Sequence, residues 1–177
     1  LDAVRGRGVP IHEVARGDRI VLDPEVSIRV LNPPRGPVGR LLSTNEASVA
    51  LLIEYRGRRV LLLADVTGDW LNQVLREVDG PVDVVQVPHH GLPDVNLEQL
   101  IHRARPRYAL ISAAAGERQE AARKHLVQAG VATLATYRHG ALTIRFSGPA
   151  MEVSTYRQEP FLEPPPSQEP ALAPEER

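Results

Sequence analysis

The sequence predicts an α/β fold in which helices pack on a mixed sheet. Short apolar runs rich in Val and Leu are too compact for helices and indicate buried strands. From residue 66 onward, amphipathic helical segments alternate with such runs, and this alternation is typical of βαβ units. Before residue 66 the strand-like runs follow one another directly, which is typical of a β-meander.

The elements can be placed in order along the chain. Residues 1–10 read as the end of a helix, and residues 38–44 read as a loop after a proline-rich break. Predicted strands cover 11–14, 19–22, 26–31, 48–55, 59–65, 83–87, 108–112, 131–137, 141–146 and 150–156. Predicted helices cover 68–78, 97–104 and 118–129. Thr67 and Asn96 are the predicted N-caps of the first two helices, and Gly130 ends the third.

Length and composition predict one domain. The 177 residues suit a single core, and with 42% apolar but only 4% aromatic residues that core must consist of Leu, Val, Ile and Ala. We place the domain at residues 1–157. Proline and charge dominate beyond it, so residues 158–177 are predicted to be a disordered tail. The start at Leu1 predicts that the chain is a piece of a longer polypeptide.

Charge and residue usage argue against several classes of protein. The 22 acidic and 21 basic residues give a formal net charge of -1, which argues against a globally basic nucleic-acid-binding surface. The absence of cysteine excludes disulfides and thiolate metal sites. No apolar run approaches the ~20 residues that cross a bilayer.

Two predicted strands end in side chains that can bind a metal. Asp65 follows a run of apolar residues, and His89 and His90 follow another. Pro88 fixes the backbone before the imidazoles, and Gly91 lets the chain turn directly after them. Carboxylate and neutral imidazole suit zinc, iron or manganese. A transition metal takes about four ligands, whereas this pattern offers two or three.

Several runs also resemble a known family in their order and spacing. They are 45–51 (Asn-Glu-Ala-Ser-Val-Ala-Leu), 61–65 (Leu-Leu-Leu-Ala-Asp), 87–91 (Val-Pro-His-His-Gly), 104–112 (Ala-Arg-Pro-Arg-Tyr-Ala-Leu-Ile-Ser), 129–131 (Ala-Gly-Val) and 136–141 (Thr-Tyr-Arg-His-Gly-Ala). Over residues 1–147 the chain resembles the metallo-β-lactamase-like domain of the ComEC family, the DNA-internalisation proteins of bacterial competence.

The resemblance implies the C-terminal portion of an αββα sandwich, with a mixed sheet, flanking helices and a site for up to two divalent ions. Asp65 would be a bridging ligand at the end of its strand, where Ala64 replaces the family's usual glycine. His90 is the favoured imidazole ligand. His89 would lie near the substrate or among the residues that hold the ligands in place.

A polar segment that holds Asn45 and Ser48 matches one near the family's site. The resemblance makes both residues candidates for substrate binding, and hydrogen bonding within their own loop is the alternative.

Other parts of the chain depart from the family pattern. The main metal motif, His-x-His-x-Asp-His, would precede Leu1, and residues 116–125 replace a Gly-His-Pro-His segment. Either the first half of the domain lies outside this chain, or the site has diverged. The remaining histidines lack ligand-like neighbours and are predicted to lie at the surface: His12, His102, His125 and His139.

The resemblance implies hydrolysis of incoming DNA with zinc or manganese in the complete domain, and an inactive isolated chain. The parent would lie in the cell membrane, with this domain outside the membrane or at its face, next to a membrane channel portion. The alternative is a non-catalytic binding or structural module of that channel. In that module two groups of arginines contact phosphate, unless nearby acids balance them. They are Arg56, Arg58 and Arg59 at a hairpin and Arg103, Arg105 and Arg107 before a strand. A third possibility is another hydrolase of the superfamily, such as a lactonase or phosphoesterase.

Overall fold

The computed structural model describes residues 6–36, 42–148 and 150–161, and within them seven strands form one mixed sheet. The strands are β1 (Arg19–Asp23), β2 (Val26–Asn32), β3 (Ala50–Tyr55), β4 (Arg58–Leu62), β5 (Val84–Gln86), β6 (Tyr108–Ile111) and β7 (Ala132–Ala135). They lie in the sheet in the same order as in the chain. Strands β1 to β4 are antiparallel, and β4 to β7 are parallel.

Three helices connect the parallel strands. They are α1 (Gly68–Arg76), α2 (Leu97–Ala104) and α3 (Glu117–Gln128). Crossovers between parallel strands share one hand, so helices between strands added in one direction lie on the same face. One buried cluster accordingly joins helix and sheet side chains, such as Leu71, Leu100 and Leu126 with Leu61 and Val85.

A small antiparallel sheet covers part of the opposite face. Strands β8 (Leu142–Ser147) and β9 (Ala150–Thr155) form it, and a single helical turn, α4 (Thr136–His139), connects it to β7. A second cluster holds Val84, Tyr108 and Leu134 of the main sheet, and Ile144 and Val153 of the small sheet pack against it. The predicted α/β class with a mixed sheet is confirmed.

Most predicted boundaries agree with the structure to within a few residues. The Asn96 side chain accepts a hydrogen bond from the Gln99 amide and caps α2. Gly130 follows α3 with a positive φ of 81°, which is the backbone that suits a C′ glycine. Thr67 occupies the N-cap position of α1, but its side chain makes no capping hydrogen bond.

Three strand predictions are wrong in detail. Residues 11–14 form no strand, because the chain there turns towards Asp18, whose carboxylate accepts from the Ala15 amide at 2.9 Å. The strand predicted for 131–137 ends at Ala135, where α4 begins. The strand predicted for 59–65 ends at Leu62, because the next two amides bond to a side chain instead of a strand.

Some predictions fall outside the described residues. Residues 1–5 of the predicted helix end, 37–41 around the predicted loop and 162–177 of the predicted tail lie there. Residues 158–161 have no regular secondary structure. In the described parts of the chain, no helix has the length and apolar character that crossing a bilayer requires.

Candidate functional site

One edge of the sheet collects the residues that the sequence singles out. Strands β4 and β5 run parallel and in register, with Leu62 opposite Gln86, so the segments that follow them emerge side by side. Asp65 follows β4, and the 3-10 turn Pro88–Gly91 follows β5. The carboxyl ends of parallel strands are the usual location of ligand sites in α/β sheets.

The Gln86 side chain joins the two strand ends. Its Oε1 accepts hydrogen bonds from the amides of Leu63 (3.0 Å) and Ala64 (2.7 Å), and its Nε2 donates to the Val87 carbonyl. The His89 amide adds a bond to the Ala64 carbonyl at 2.9 Å. Sequence reasoning missed Gln86, although a polar residue within an apolar strand was a usable signal.

The backbone at this edge is strained. Ala64, His89 and His90 all have positive φ values, of 46°, 45° and 56°, and Gly91 follows with 73°. Non-glycine residues in this region cost about 1–2 kcal/mol each, and such strain concentrates at functional sites. The positive φ at position 64 is a conformation that glycine adopts without a steric penalty.

Asp65 and His90 face each other at the mouth of the site. Asp65 Oδ1 lies 3.6 Å from His90 Nε2, and their side chains are 39% and 52% exposed. The other ring nitrogen of His90, Nδ1, lies 2.6 Å from the Ser112 carbonyl oxygen and donates to it. That bond fixes the tautomer and leaves the Nε2 lone pair directed at Asp65, which is the arrangement that metal-binding histidines adopt.

His89 is held on both ring nitrogens. Its Nδ1 lies 2.8 and 3.0 Å from the carboxylate oxygens of Asp94, and its Nε2 lies 3.3 Å from Asn45 Nδ2. Because a carboxylate only accepts, Nδ1 donates to Asp94 and Nε2 accepts from Asn45; this tautomer is assigned from the network. The structure therefore gives the two adjacent imidazoles different surroundings.

The two polar candidates of the 43–48 loop also differ. Asn45 reaches the site through His89, whereas the Ser48 hydroxyl lies 3.4 Å from the Thr44 carbonyl within its own loop. The Asn32 amide, from the end of β2, donates to the carbonyls of Glu46 and Ser48. Sequence reasoning missed Asn32, since it treated the Asn-Pro-Pro segment only as a break.

A cavity of about 500 Å³ adjoins His90. The loop of small residues after β6 lines it, together with Gln119 and Thr136. The Thr136 hydroxyl holds that loop, because it accepts from the Ala113 amide and donates to the Ala113 carbonyl, both at 2.9 Å. The cavity therefore opens beside the half-exposed side chain of His90.

An ion network borders this cavity. Arg123 donates two hydrogen bonds to Glu120 and lowers the pKa of that carboxyl to about 2, with help from the Tyr137 hydroxyl and the charge of Arg138. Burial raises the pKa of Tyr137 to about 12, and its hydrogen bond to Glu120 acts in the same direction. The network ties α3 to α4, and Gln119 and Thr136, next to it in the sequence, line the cavity.

The other four histidines differ in their exposure. His12 and His102 are exposed, as predicted, and His125 is half-buried on α3. His139 was predicted to lie at the surface, and that prediction is wrong: its side chain is buried. The turn of α4 folds it back onto β7, where its Nδ1 lies 3.0 Å from both the amide and the carbonyl of Ala135.

The donors match part of a divalent-cation site. Asp65 and His90 supply a carboxylate and an imidazole, which suit zinc or manganese. Within residues 6–36, 42–148 and 150–161, no group of three or more His, Asp or Glu side chains is placed to hold an ion. Structural zinc sites use four protein ligands and catalytic sites three, so the described residues do not by themselves form such a site.

Comparison with known proteins agrees with the resemblance read from the sequence. No family model matches the chain. It is 27% identical over 161 residues to ComE operon protein 3 of Bacillus subtilis (strain 168), a match that covers 88% of this chain and 20% of that protein. The chain is a distant homologue of ComE operon protein 3. It spans about one fifth of the length of that relative.

Solved structures support the fold. The chain superimposes on the CmlA β-hydroxylase E377D mutant with a TM-score of 0.53 and 15% identity, over 76% of this chain and 34% of that one. A hypothesised metal-dependent hydrolase from Parabacteroides distasonis gives a TM-score of 0.52 and 10% identity, over 77% of this chain and 61% of that one. The fold of this ComE operon protein 3 homologue is metallo-β-lactamase-like, as predicted.

Proposed function

We propose that this chain is part of a metal-dependent phosphodiesterase that hydrolyses incoming DNA in a competence protein. The observation that carries the proposal is the pairing of Asp65 with His90 at a separation of 3.6 Å. Two ligand atoms on one tetrahedral zinc ion lie about 3.3 Å apart, given metal–ligand distances of about 2.0 Å. The observed separation exceeds a normal hydrogen bond but suits two ligands of one cation.

The surrounding residues hold this pair in a geometry that suits cation binding. The Ser112 carbonyl orients the His90 ring, and Gln86 holds the segment that carries Asp65 against the segment that carries His90. A bound zinc or manganese ion would neutralise charge on phosphoryl oxygens and lower the pKa of water. We infer that the remaining ligands come from polypeptide beyond these residues, from water and from the substrate.

The link to DNA rests on homology. The relation to ComE operon protein 3 extends over 88% of the chain, and it supports a role in DNA uptake. In this proposal residues 1–157 form the domain and residues 158–177 a tail. The domain lies outside the cytoplasmic membrane or at its face, next to the channel portion of the parent. His89 then lies beside the cation and faces the substrate.

Cation binding by this chain is the first test. Mn²⁺ broadens the NMR signals of residues close to it, so broadening centred on Asp65 and His90 is expected even when affinity is low. Asp65→Asn and His90→Gln should weaken the effect at least tenfold. Asp69→Asn and His102→Gln change exposed residues of α1 and α2 and serve as matched controls. Equal broadening in all four variants would contradict the assignment.

Hydrolysis is the second test. The complete domain, with Mn²⁺ or Zn²⁺, should cleave linear DNA, and Asp65→Asn should lower the rate at least a hundredfold. The isolated 177-residue chain is expected to be inactive because its ligand set is partial. If Asp65→Asn retains the full rate in the complete domain, Asp65 is not a ligand.

One observation favours a second candidate function. The described residues lack a group of three metal-binding side chains, as a non-catalytic binding or structural module of a DNA channel would. In this alternative Asp65 and His90 are remnants. The arginines offered as phosphate contacts lie close to acids: Arg56 pairs with Glu25, and Arg58 with Asp83. Elemental analysis of the complete domain separates the two candidates, since the module would contain no stoichiometric zinc or manganese.

A further inference from the structure

Asn32 is a polar side chain in a place built for apolar ones. It follows the fully buried Val30 and Leu31 at the end of β2 and is itself fully buried. Its Nδ2 donates to the carbonyls of Glu46 (2.7 Å) and Ser48 (2.8 Å). Its Oδ1 has no hydrogen-bond partner among the described residues. Burying a side-chain amide costs free energy. The buried amide of Asn32 therefore directs attention to the segment that its two N–H groups hold.

Those donors hold a compact loop. The Ala47 amide donates to the Ser43 carbonyl at 2.9 Å, and the Ser48 amide donates to the Asn45 carbonyl at 3.1 Å. The loop therefore closes on itself, and the two bonds from Asn32 fasten its far side to the end of β2. Asn45 lies within this closed loop, so the position of its amide depends on the fastening.

The Asn45 amide in turn contacts the ring of His89. The distance from Asn45 Nδ2 to His89 Nε2 is 3.3 Å, and Asp94 holds the opposite nitrogen at 2.8 Å. With a partner on each nitrogen, the ring has one preferred orientation and one tautomer. The contacts from Asn45 and Asp94 therefore hold the ring on a backbone that is itself strained, with φ of 45°.

We infer that Asn32 is a positioning residue for His89, and that it acts through the 43–48 loop and Asn45. This inference rests on the proposed function, in which His89 faces the substrate beside the cation of Asp65 and His90. It also gives Asn45 a defined role, which is to orient an imidazole. Asn32 itself touches neither substrate nor cation.

The nitrogen NMR signals of His89 test the inference in this chain without cation or substrate. Asn45→Ala removes the donor to Nε2, so that resonance should move towards the position of a nitrogen without a hydrogen bond. Asn32→Ala should cause a shift in the same direction. In the double variant the shift should not exceed that of Asn45→Ala alone, because both residues act on one contact.

Matched variants separate positioning from general loss of stability. Asn96→Ala removes the cap of α2 and should lower Tm while it leaves the His89 resonance unchanged. Asn32→Ser keeps one hydroxyl donor and should give an intermediate shift, and it replaces the alanine variant if that variant does not fold. An unchanged His89 resonance in the folded Asn32 variant would overturn the inference, as would shifts that add in the double variant.

Hydrolysis by the complete domain distinguishes the two proposals. Asn32→Ala should lower kcat about tenfold with a smaller change in KM, since a misoriented His89 impairs the transition state more than binding. If the resonances respond as expected and the wild type does not cleave DNA, the proposed function fails while the orientation of His89 by Asn32 stands. If the wild type cleaves DNA and Asn32→Ala changes neither kcat nor the resonance, the role of Asn32 fails alone.

Discussion

The helix-covered face of the sheet and its carboxyl edge differ in the interactions that stabilise them. The face consists of fully buried apolar side chains such as Leu61, Leu71 and Leu100. The edge consists of polar clamps and residues with positive φ, such as Ala64 and His90. The face gains free energy from burial, whereas the edge holds strained backbone in place with hydrogen bonds. We therefore expect the face to supply most of the stability, and the hydrogen bonds of the edge to hold the candidate site in place.

The largest expected loss of stability follows from a substitution on the helix-covered face of the sheet. Leu61 is fully buried and pairs with Leu52 and Val85 in the sheet. Leu61→Ala should lower the free energy of unfolding by about 3 kcal/mol, because it leaves a cavity in the main core. Urea denaturation followed by circular dichroism measures this loss. A loss below about 1 kcal/mol would contradict the division between face and edge.

Gln86 should be the most sensitive position of the edge. Gln86→Ala leaves the amides of Leu63 and Ala64 without their acceptor, which should cost about 2 kcal/mol. The exposed Gln128 at the end of α3 provides the control, and Gln128→Ala should change stability by less than about 0.5 kcal/mol. Both values come from urea denaturation. If Gln86→Ala lowers the free energy of unfolding as little as Gln128→Ala does, the hydrogen bonds of Gln86 contribute nothing to stability.

Acid should weaken the ion network of Glu120, which ties α3 to α4. The folded-state pKa of Glu120 is lowered from 4.5 to about 2, so its contribution is fully present above pH 4.5 and is lost as pH falls towards 2. The group is partly solvated, so the loss should be about 1 kcal/mol. Glu120→Gln should lower stability at pH 7 and narrow the gap from the wild type as pH falls through that window. A constant gap would contradict the prediction.

The smallest expected effect is that of replacing alanine by glycine. This change should raise the free energy of unfolding at the edge and lower it at the end of a helix. Ala64→Gly relieves a positive φ of 46° and should raise the free energy of unfolding by about 0.5–1 kcal/mol. The matched variant Ala129→Gly, at the end of α3 with φ of -80°, should lower it by a few tenths of a kcal/mol. Thermal unfolding of both variants checks the signs. A loss of stability in Ala64→Gly would mean that the alanine methyl group matters more than the strain.

The same division explains what could be predicted from the sequence. Apolar runs place β2 and β6, and helical periodicity places α1, because burial of the face imposes both patterns. Asp65 and His90 lie close together for a related reason, since each follows one of two neighbouring parallel strands within a few residues. The orientation of His89 could not be predicted, because it depends on Asn45 and Asp94, and no local pattern connects those two residues.

His139 shows another limit of sequence reading. A histidine next to glycine and arginine favours a surface position, and only the turn at Ala135 folds it inward. Asn32 shows the converse, since an asparagine before two prolines indicates a break, yet its amide is buried. Asn32 is held by the carbonyls of Glu46 and Ser48, 14 and 16 residues further along the chain, whereas His139 bonds to the nearby backbone of Ala135.

The order of the seven strands has a consequence for synthesis of the protein. Each strand pairs with the one made immediately before it, so no strand must be inserted between two that have already paired. Pairings between segments close in sequence form faster than distant ones, and domains begin to fold as they leave the ribosome. The sheet can therefore gain one strand at a time during translation. The edge that bears Asp65 and His90 forms once β4 and the strands after it have been added.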